Sequence, residues 1–180
     1  MFKPVFAAFL ALLPMGAMAA PVASPVLDVP LATADVVSFD GLADLLAFDA
    51  PATGQGFAVP SDLLADLTLT YDMGHPYDGA QGVLAFHSGG RTLLDGVLWS
   101  VLPQTDALFL VFGDLTGDLA AVFGDGLRVG LVFFDPLGDD PLAALADGGR
   151  YDFALTVEAA TQPAPVPLPA GGLLLISACG

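Results

Sequence analysis

The chain predicts an all-β fold: an antiparallel, jelly-roll-like β-sandwich with one or two short helices. Three observations carry this. Residues 66–72 (DLTLTYD) and 150–158 (RYDFALTVE) alternate polar and apolar side chains with a period of two, as half-buried strands do. Residues 107–112 (ALFLVF) and 127–134 (LRVGLVFF) are apolar runs bounded by Gly and Asp, the pattern of strands buried on both faces. Turn dipeptides recur between such runs: Asp78-Gly79, Gly89-Gly90, Asp95-Gly96, Asp125-Gly126 and Gly148-Gly149.

Taken in chain order, residues 1–19 read as a secretory signal peptide. Lys3 supplies the positive start, a short apolar stretch follows, and Ala17-Met18-Ala19 fits a small-x-small cleavage rule, with cleavage between Ala19 and Ala20. The apolar stretch is too short for a comfortable membrane span. Residues 20–33 form a proline-rich leading segment, and residues 34–160 form the sandwich domain. Further strands are expected at 34–40, 82–87 and 92–102. Residues 41–48 fit either strand or helix. A short helix is expected at 140–146, where Asp140 is placed to cap, Pro141 takes the first position and Gly148 ends the run. Residues 118–123 fit one helical turn.

Charge sets limits on partners. The chain has 4 Lys and Arg against 20 Asp and Glu, and all but Glu158 of those acids are Asp. Neutralising phosphate needs cations, so nucleic-acid binding is excluded. Anionic membrane surfaces repel such a chain. Asp rather than Glu points to turns, where the short carboxylate bonds local backbone N–H groups. Cys179 is the only cysteine, so the fold has no internal disulfide.

Catalytic motifs are absent. There is no G-x-S-x-G, P-loop, dinucleotide fingerprint, H-E-x-x-H or C-x-x-C. His87 and Ser88 are adjacent, so in a strand they face opposite ways. His75 and His87 read as surface histidines, since a zinc site would need carboxylates brought in by the fold. Among the acids, calcium candidates are Asp114 and Asp118 in one turn and Asp135, Asp139 and Asp140 in another, because calcium takes hard oxygen ligands from turns. Neither segment matches D-x-D-x-D-G. Paired Asp residues would be the only basis for a secreted hydrolase. Trp99, Tyr71 and Tyr77 are candidates for stacking on sugar rings, with Trp99 and Tyr71 assigned to the core instead.

Residues 161–165 form a proline-rich linker with Pro163 and Pro165. It leads to Val166-Pro167-Leu168-Pro169-Ala170 and an apolar run ending at residue 180. That block, behind an exported domain, resembles the PEP-CTERM family of sorting signals in its VPLPA-CTERM form. The resemblance implies export, recognition of residues 166–170 by an exosortase-type membrane transpeptidase, and a place at the cell surface or in an exopolysaccharide biofilm matrix, with a β-sandwich as the carried domain. In that family a membrane helix and an arginine cluster follow the motif. Here eleven residues follow Pro169 and no basic residue follows Arg150, so the signal is expected to be cut short or degenerate. Without a completed tail, membrane contact is transient and the periplasm is an alternative address. Cys179 reads as a small residue of that apolar run. The expected function is that of an exported, non-enzymatic surface or matrix protein. A carbohydrate-binding module, with or without calcium, is the alternative.

Overall fold

The computed structural model describes residues 24–160. The signal peptide with its Ala19–Ala20 junction, the linker, the sorting block and Cys179 lie outside the described residues.

Nine strands and two one-turn helices make up the fold: β1 (Val26–Phe39), β2 (Leu42–Pro51), β3 (Thr53–Gln55), β4 (Leu64–Asp72), β5 (Gln81–Ser88), β6 (Arg91–Gln104), β7 (Ala107–Thr116), α1 (Ala120–Phe123), β8 (Leu127–Phe133), α2 (Pro141–Ala144) and β9 (Arg150–Ala159). All pairings are antiparallel, and the order is β2-β4-β5-β6-β7-β8-β9-β1-β3 with β1 also paired to β2. The sheet therefore returns to its start. Eight strands close into an up-and-down barrel, with β3 a short flap against Val26–Asp28 of β1.

This differs from the expected sandwich. Two stacked sheets need chain crossovers between layers, whereas here each strand pairs with the next along one meander. Pairing of β1 with β9, from Val26↔Glu158 to Asp35↔Arg150, then closes the ring. Closure removes the exposed edges that an open sheet leaves. It also explains the apolar runs at 107–112 and 127–134. Leu108, Leu110 and Phe112 are buried, as are Leu127, Val129, Leu131 and Phe133, but Phe109 and Val111 are half-exposed and Val132 and Phe134 exposed. A barrel wall has one interior face, so these strands bury one face and not two.

Two further boundaries move. β1 begins at Val26, inside the stretch read as a leading segment; its one proline, Pro30, is tolerated because it falls where the ladder shifts register between Val29 and Ala32. Asp95-Gly96 makes no turn but lies within β6. A Cβ at Gly96 would meet the Leu115 side chain at 2.9 Å and Phe112 Cβ at 3.3 Å, so glycine serves close packing there. The ambiguous residues 41–48 belong to β2. Its hairpin with β1 turns at Asp40 and Gly41, both at positive φ (53° and 85°), the primed geometry that matches strand twist.

Side chains fill the interior. Ala32, Ala34, Ala43, Ala47, Ala50 and Ala65 line the β1–β2–β4 side, while Phe86, Phe112 and Phe153 fill from β5, β7 and β9. Small residues facing large ones allow the interior of a narrow barrel to pack. Each mouth is stoppered. At one, Phe123 of α1 meets Phe57 of the β2–β4 connection edge-on, with ring centroids 5.6 Å apart. At the other, Leu142 and Leu145 of the α2 segment are buried. As the chain predicts, Asp140 caps α2, its carboxylate accepting from Ala143 N–H at 3.4 Å, and Pro141 occupies the first turn. These mouths are called the α1 end and the α2 end below. The β1–β2, β4–β5, β6–β7 and β8–β9 connections gather at the α2 end, and the β2–β4, β5–β6 and β7–β8 connections at the α1 end.

Candidate functional site

With so few cations, the acids of this chain need other partners, and neutral donors supply them. On the outer wall Thr70 Oγ1 donates to Asp44 (2.6 Å), Thr33 Oγ1 to Asp152 (2.6 Å), Gln55 Nε2 to Asp28 (2.6 Å) and Ser88 Oγ to Asp62 (2.6 Å). Each links neighbouring strands or a strand to a loop, the role that hydroxyl–carboxylate pairs play across a sheet. The Ser88 bond holds the Asp62 carboxyl below the usual carboxylate range. Backbone amides serve others. Asp106 Oδ1 accepts from Leu137 N–H (2.6 Å) and Gly138 N–H (2.7 Å), and Asp147 accepts from Ser38 N–H (2.8 Å), which lowers the Asp147 pKa.

The calcium candidates belong to this pattern and do not form one site. β7 runs from the α2 end to the α1 end, so Asp114 and Asp118 lie at one mouth and Asp135, Asp139 and Asp140 at the other. Asp118 pairs with Arg91 at 2.5 Å, and Asp114 accepts from the Trp99 indole N–H at 3.5 Å. Asp139 accepts from Thr105 Oγ1 at 2.5 Å, and Asp140 accepts from the Tyr77 hydroxyl at 2.5 Å while capping α2. Asp135 is exposed. Burial, then the Asp140 carboxylate, push the Tyr77 hydroxyl pKa up.

One group departs from the pattern. Near the α1 end, Asp49 of β2, Asp66 of β4 and His87 of β5 converge on the outer wall. His87 Nε2 lies 3.2 Å from Asp66 Oδ2 and 3.6 Å from Asp49 Oδ1, and the three groups bring one ligand atom each within 4.8 Å of the others. Among the described residues it is the one place where three such side chains meet. Local irregularity brings them together. β2 slips register between Ala47 and Ala50, and in that bulge Asp49 takes a positive φ of 54°, turning its side chain toward β4. β5 slips against β6 between Phe86 and His87. Asp66 is held from behind, its Oδ1 accepting the Asp49 backbone N–H at 2.8 Å, which leaves Oδ2 toward the imidazole. His87 and Asp66 are mostly covered (side chains 22% and 31% exposed), whereas Asp49 opens to solvent (75%).

The reading of His87 as an ordinary surface histidine missed this group. Its residues come from three strands, and Asp49 reaches it only through a bulge. The β4–β5 hairpin carried a partial signal: it pairs Leu64 with His87 and Asp66 with Ala85, which sets Asp66 and His87 on one outward face. His75 is exposed in the β4–β5 connection and stands apart.

The aromatic candidates separate in the same way. Tyr71 is buried as expected. Trp99 is not a core residue: it is 59% exposed, because β6 slips register between Leu98 and Ser100 and turns the indole outward onto the β7 backbone. A side chain at Gly113 would overlap the indole, so that glycine is the seat on which the ring lies. Comparison of the chain with protein-family models, with curated proteins and with solved structures finds no match.

Proposed function

We propose that this chain is an exported, non-enzymatic barrel protein that an exosortase-type transpeptidase sorts to the cell surface or an exopolysaccharide matrix. The observation that carries the reading is where the Val166–Ala170 block stands. β9 completes the barrel at Ala159, the Ala160 N–H makes a last bond to Gly126 C=O at 2.8 Å, and the proline-rich linker and block follow at once. A sorting enzyme can engage a tail so placed without opening the fold. The signal-peptide pattern at residues 1–19 and the shortage of cations agree with export and with an address away from nucleic acid. The packed interior favours a stable carried module over a binding cup. Deleting Val166–Ala170 from a reporter fusion carrying the native downstream sequence is expected to abolish processing and retain unprocessed precursor in membrane fractions. Unchanged processing and surface delivery after the deletion would overturn the reading.

Trp99 favours a second reading, a carbohydrate-binding module. A flat, exposed indole beside the Asp114 carboxylate is the arrangement that stacks on a sugar face while an acid takes a hydroxyl. Because Trp99 is the only tryptophan, its fluorescence reports directly on binding. Saturable quenching by exopolysaccharide oligomers, lost in Trp99→Ala, supports this reading; a flat titration rejects it.

A further inference from the structure

We infer that Asp49, Asp66 and His87 form a binding site for a divalent zinc-class cation on the outer wall of the barrel. The inference does not rest on the sorting reading.

Spacing is the first argument. Zinc holds imidazole nitrogen and carboxylate oxygen at about 2.0–2.2 Å, so adjacent ligand atoms of a tetrahedral site lie about 3.3–3.5 Å apart. The contacts from His87 Nε2 to Asp66 Oδ2 and Asp49 Oδ1, at 3.2 and 3.6 Å, bracket that edge. The three ligand atoms lie within 4.8 Å of one another, and the exposure of Asp49 leaves the fourth position to water.

The second argument is charge. Two carboxylates face one imidazole, so protonating His87 leaves the group one negative charge in excess. No arginine among the described residues serves it: Arg91 pairs with Asp118, Arg150 lies 3.5 Å from Asp35, and Arg128 lies 5.0 Å above the Phe109 ring. Elsewhere on the wall neutral hydroxyls and amides meet Asp28, Asp44, Asp62 and Asp152, and arginines meet Asp35 and Asp118. Here the imidazole is the partner of both carboxylates, and a divalent cation balances them in full.

The third argument is support and donor type. A metal ligand is normally oriented by a partner on its other atom. The Asp49 N–H on Asp66 Oδ1 is such a partner, and it also fixes the Asp49 backbone on which the other carboxylate rides. An imidazole nitrogen with two carboxylates suits borderline ions such as zinc, whereas calcium asks for six to eight oxygens. The ion would tie the β2 bulge to the β4–β5 hairpin, so its binding free energy would add to the stability of the α1 end.

The test is zinc titration of the full chain by calorimetry, in a Cys179→Ser, His75→Asn background that removes other soft or imidazole ligands. One zinc per chain is expected, with an apparent affinity that falls on acidification because the metal competes with a proton for Nε2. His87→Asn and Asp66→Asn should each weaken binding by about tenfold or more, while Asp139→Asn should not change it. Zinc should raise the thermal midpoint of the background protein and not of the His87→Asn protein. A zinc-dependent shift of the His87 ring-nitrogen NMR signals in the unmutated protein tests the site without relying on a variant that folds. Equal binding by the His87 and Asp66 variants, displacement of zinc by tenfold excess calcium, or unmoved ring-nitrogen signals would each overturn the proposal.

Discussion

Two groups of Asp residues, one at the α2 end and one on the wall near the α1 end, spend the same residue type in opposite ways. At the α2 end, Asp106, Asp139, Asp140 and Asp147 each accept from an amide or hydroxyl of a different loop, and together they staple the β6–β7 turn, the β4–β5 connection and the end of β1 to the β8–β9 segment. Near the α1 end, Asp49 and Asp66 direct oxygens at one imidazole. The first arrangement satisfies every partner within the chain. The second concentrates negative charge that the chain itself does not neutralise. An Asp-rich sequence is therefore not evidence of a cation site; convergence of acids on a group that cannot satisfy them is.

That contrast can be broken or sharpened by experiment. The largest effect is expected in alkali. Burial pushes the Tyr71 hydroxyl, inside the barrel near the α2 end, up to about 12 from its ordinary value of about 10. The folded state thus holds this proton more tightly than the unfolded chain does. Its contribution is complete below pH ~10 and is lost as pH rises toward 12, on the order of 2–3 kcal/mol. Urea unfolding across that window, beside ultraviolet tyrosinate titration, checks it. Next comes Asp106→Ala, which strands two amide donors and leaves a side chain other than Asp at a φ of 56°. Loss of about 1–3 kcal/mol is expected in denaturant midpoints. Tyr77→Phe removes the hydroxyl shared by Asp140 and the Leu142 N–H, at a cost of about 1 kcal/mol. Asp49→Asn, in metal-free buffer, should sit within about 0.5 kcal/mol of the parent. A loss there as large as that of Asp106→Ala would erase the distinction between the two ends.

At the acid side the sign reverses. The Ser38 amide holds the Asp147 carboxyl below its ordinary range, so the bond contributes above that range and fades as pH falls through the lowered value. Asp147→Asn should flatten this acid limb, as read by thermal midpoints against pH.

Much of the fold was legible. Period-two alternation located β4 and β9, the Gly–Asp bounds marked β7 and β8, and the Asp140-Pro141 pair announced α2. These are local signals, read from residues that touch. Barrel closure was not legible, because it depends on β1 meeting β9 across most of the chain, and neither strand carries a mark of its partner. Bulges were silent for a related reason. The slips at Ala47–Ala50 and Leu98–Ser100 are accommodations to barrel curvature, and they turned Asp49 toward its site and Trp99 into solvent. Alternation reads facing correctly until a bulge and then reads it inverted, so the inward phase of Ala43, Leu45 and Ala47 would carry Asp49 into the core, whereas His87 keeps the outward facing that alternation gives it and only its partners are hidden.

The pairing of Val26 with Glu158 gives the barrel a polarity. Both ends of the folded segment leave through the mouth stoppered by α1, so a leader and a tether would be joined to a single pole. A tether joined at that pole would turn the stapled loops of the α2 end away from the attachment. The Asp49–Asp66–His87 group lies on the wall near that same pole, where an ion joining three strands would brace the barrel against pulling forces.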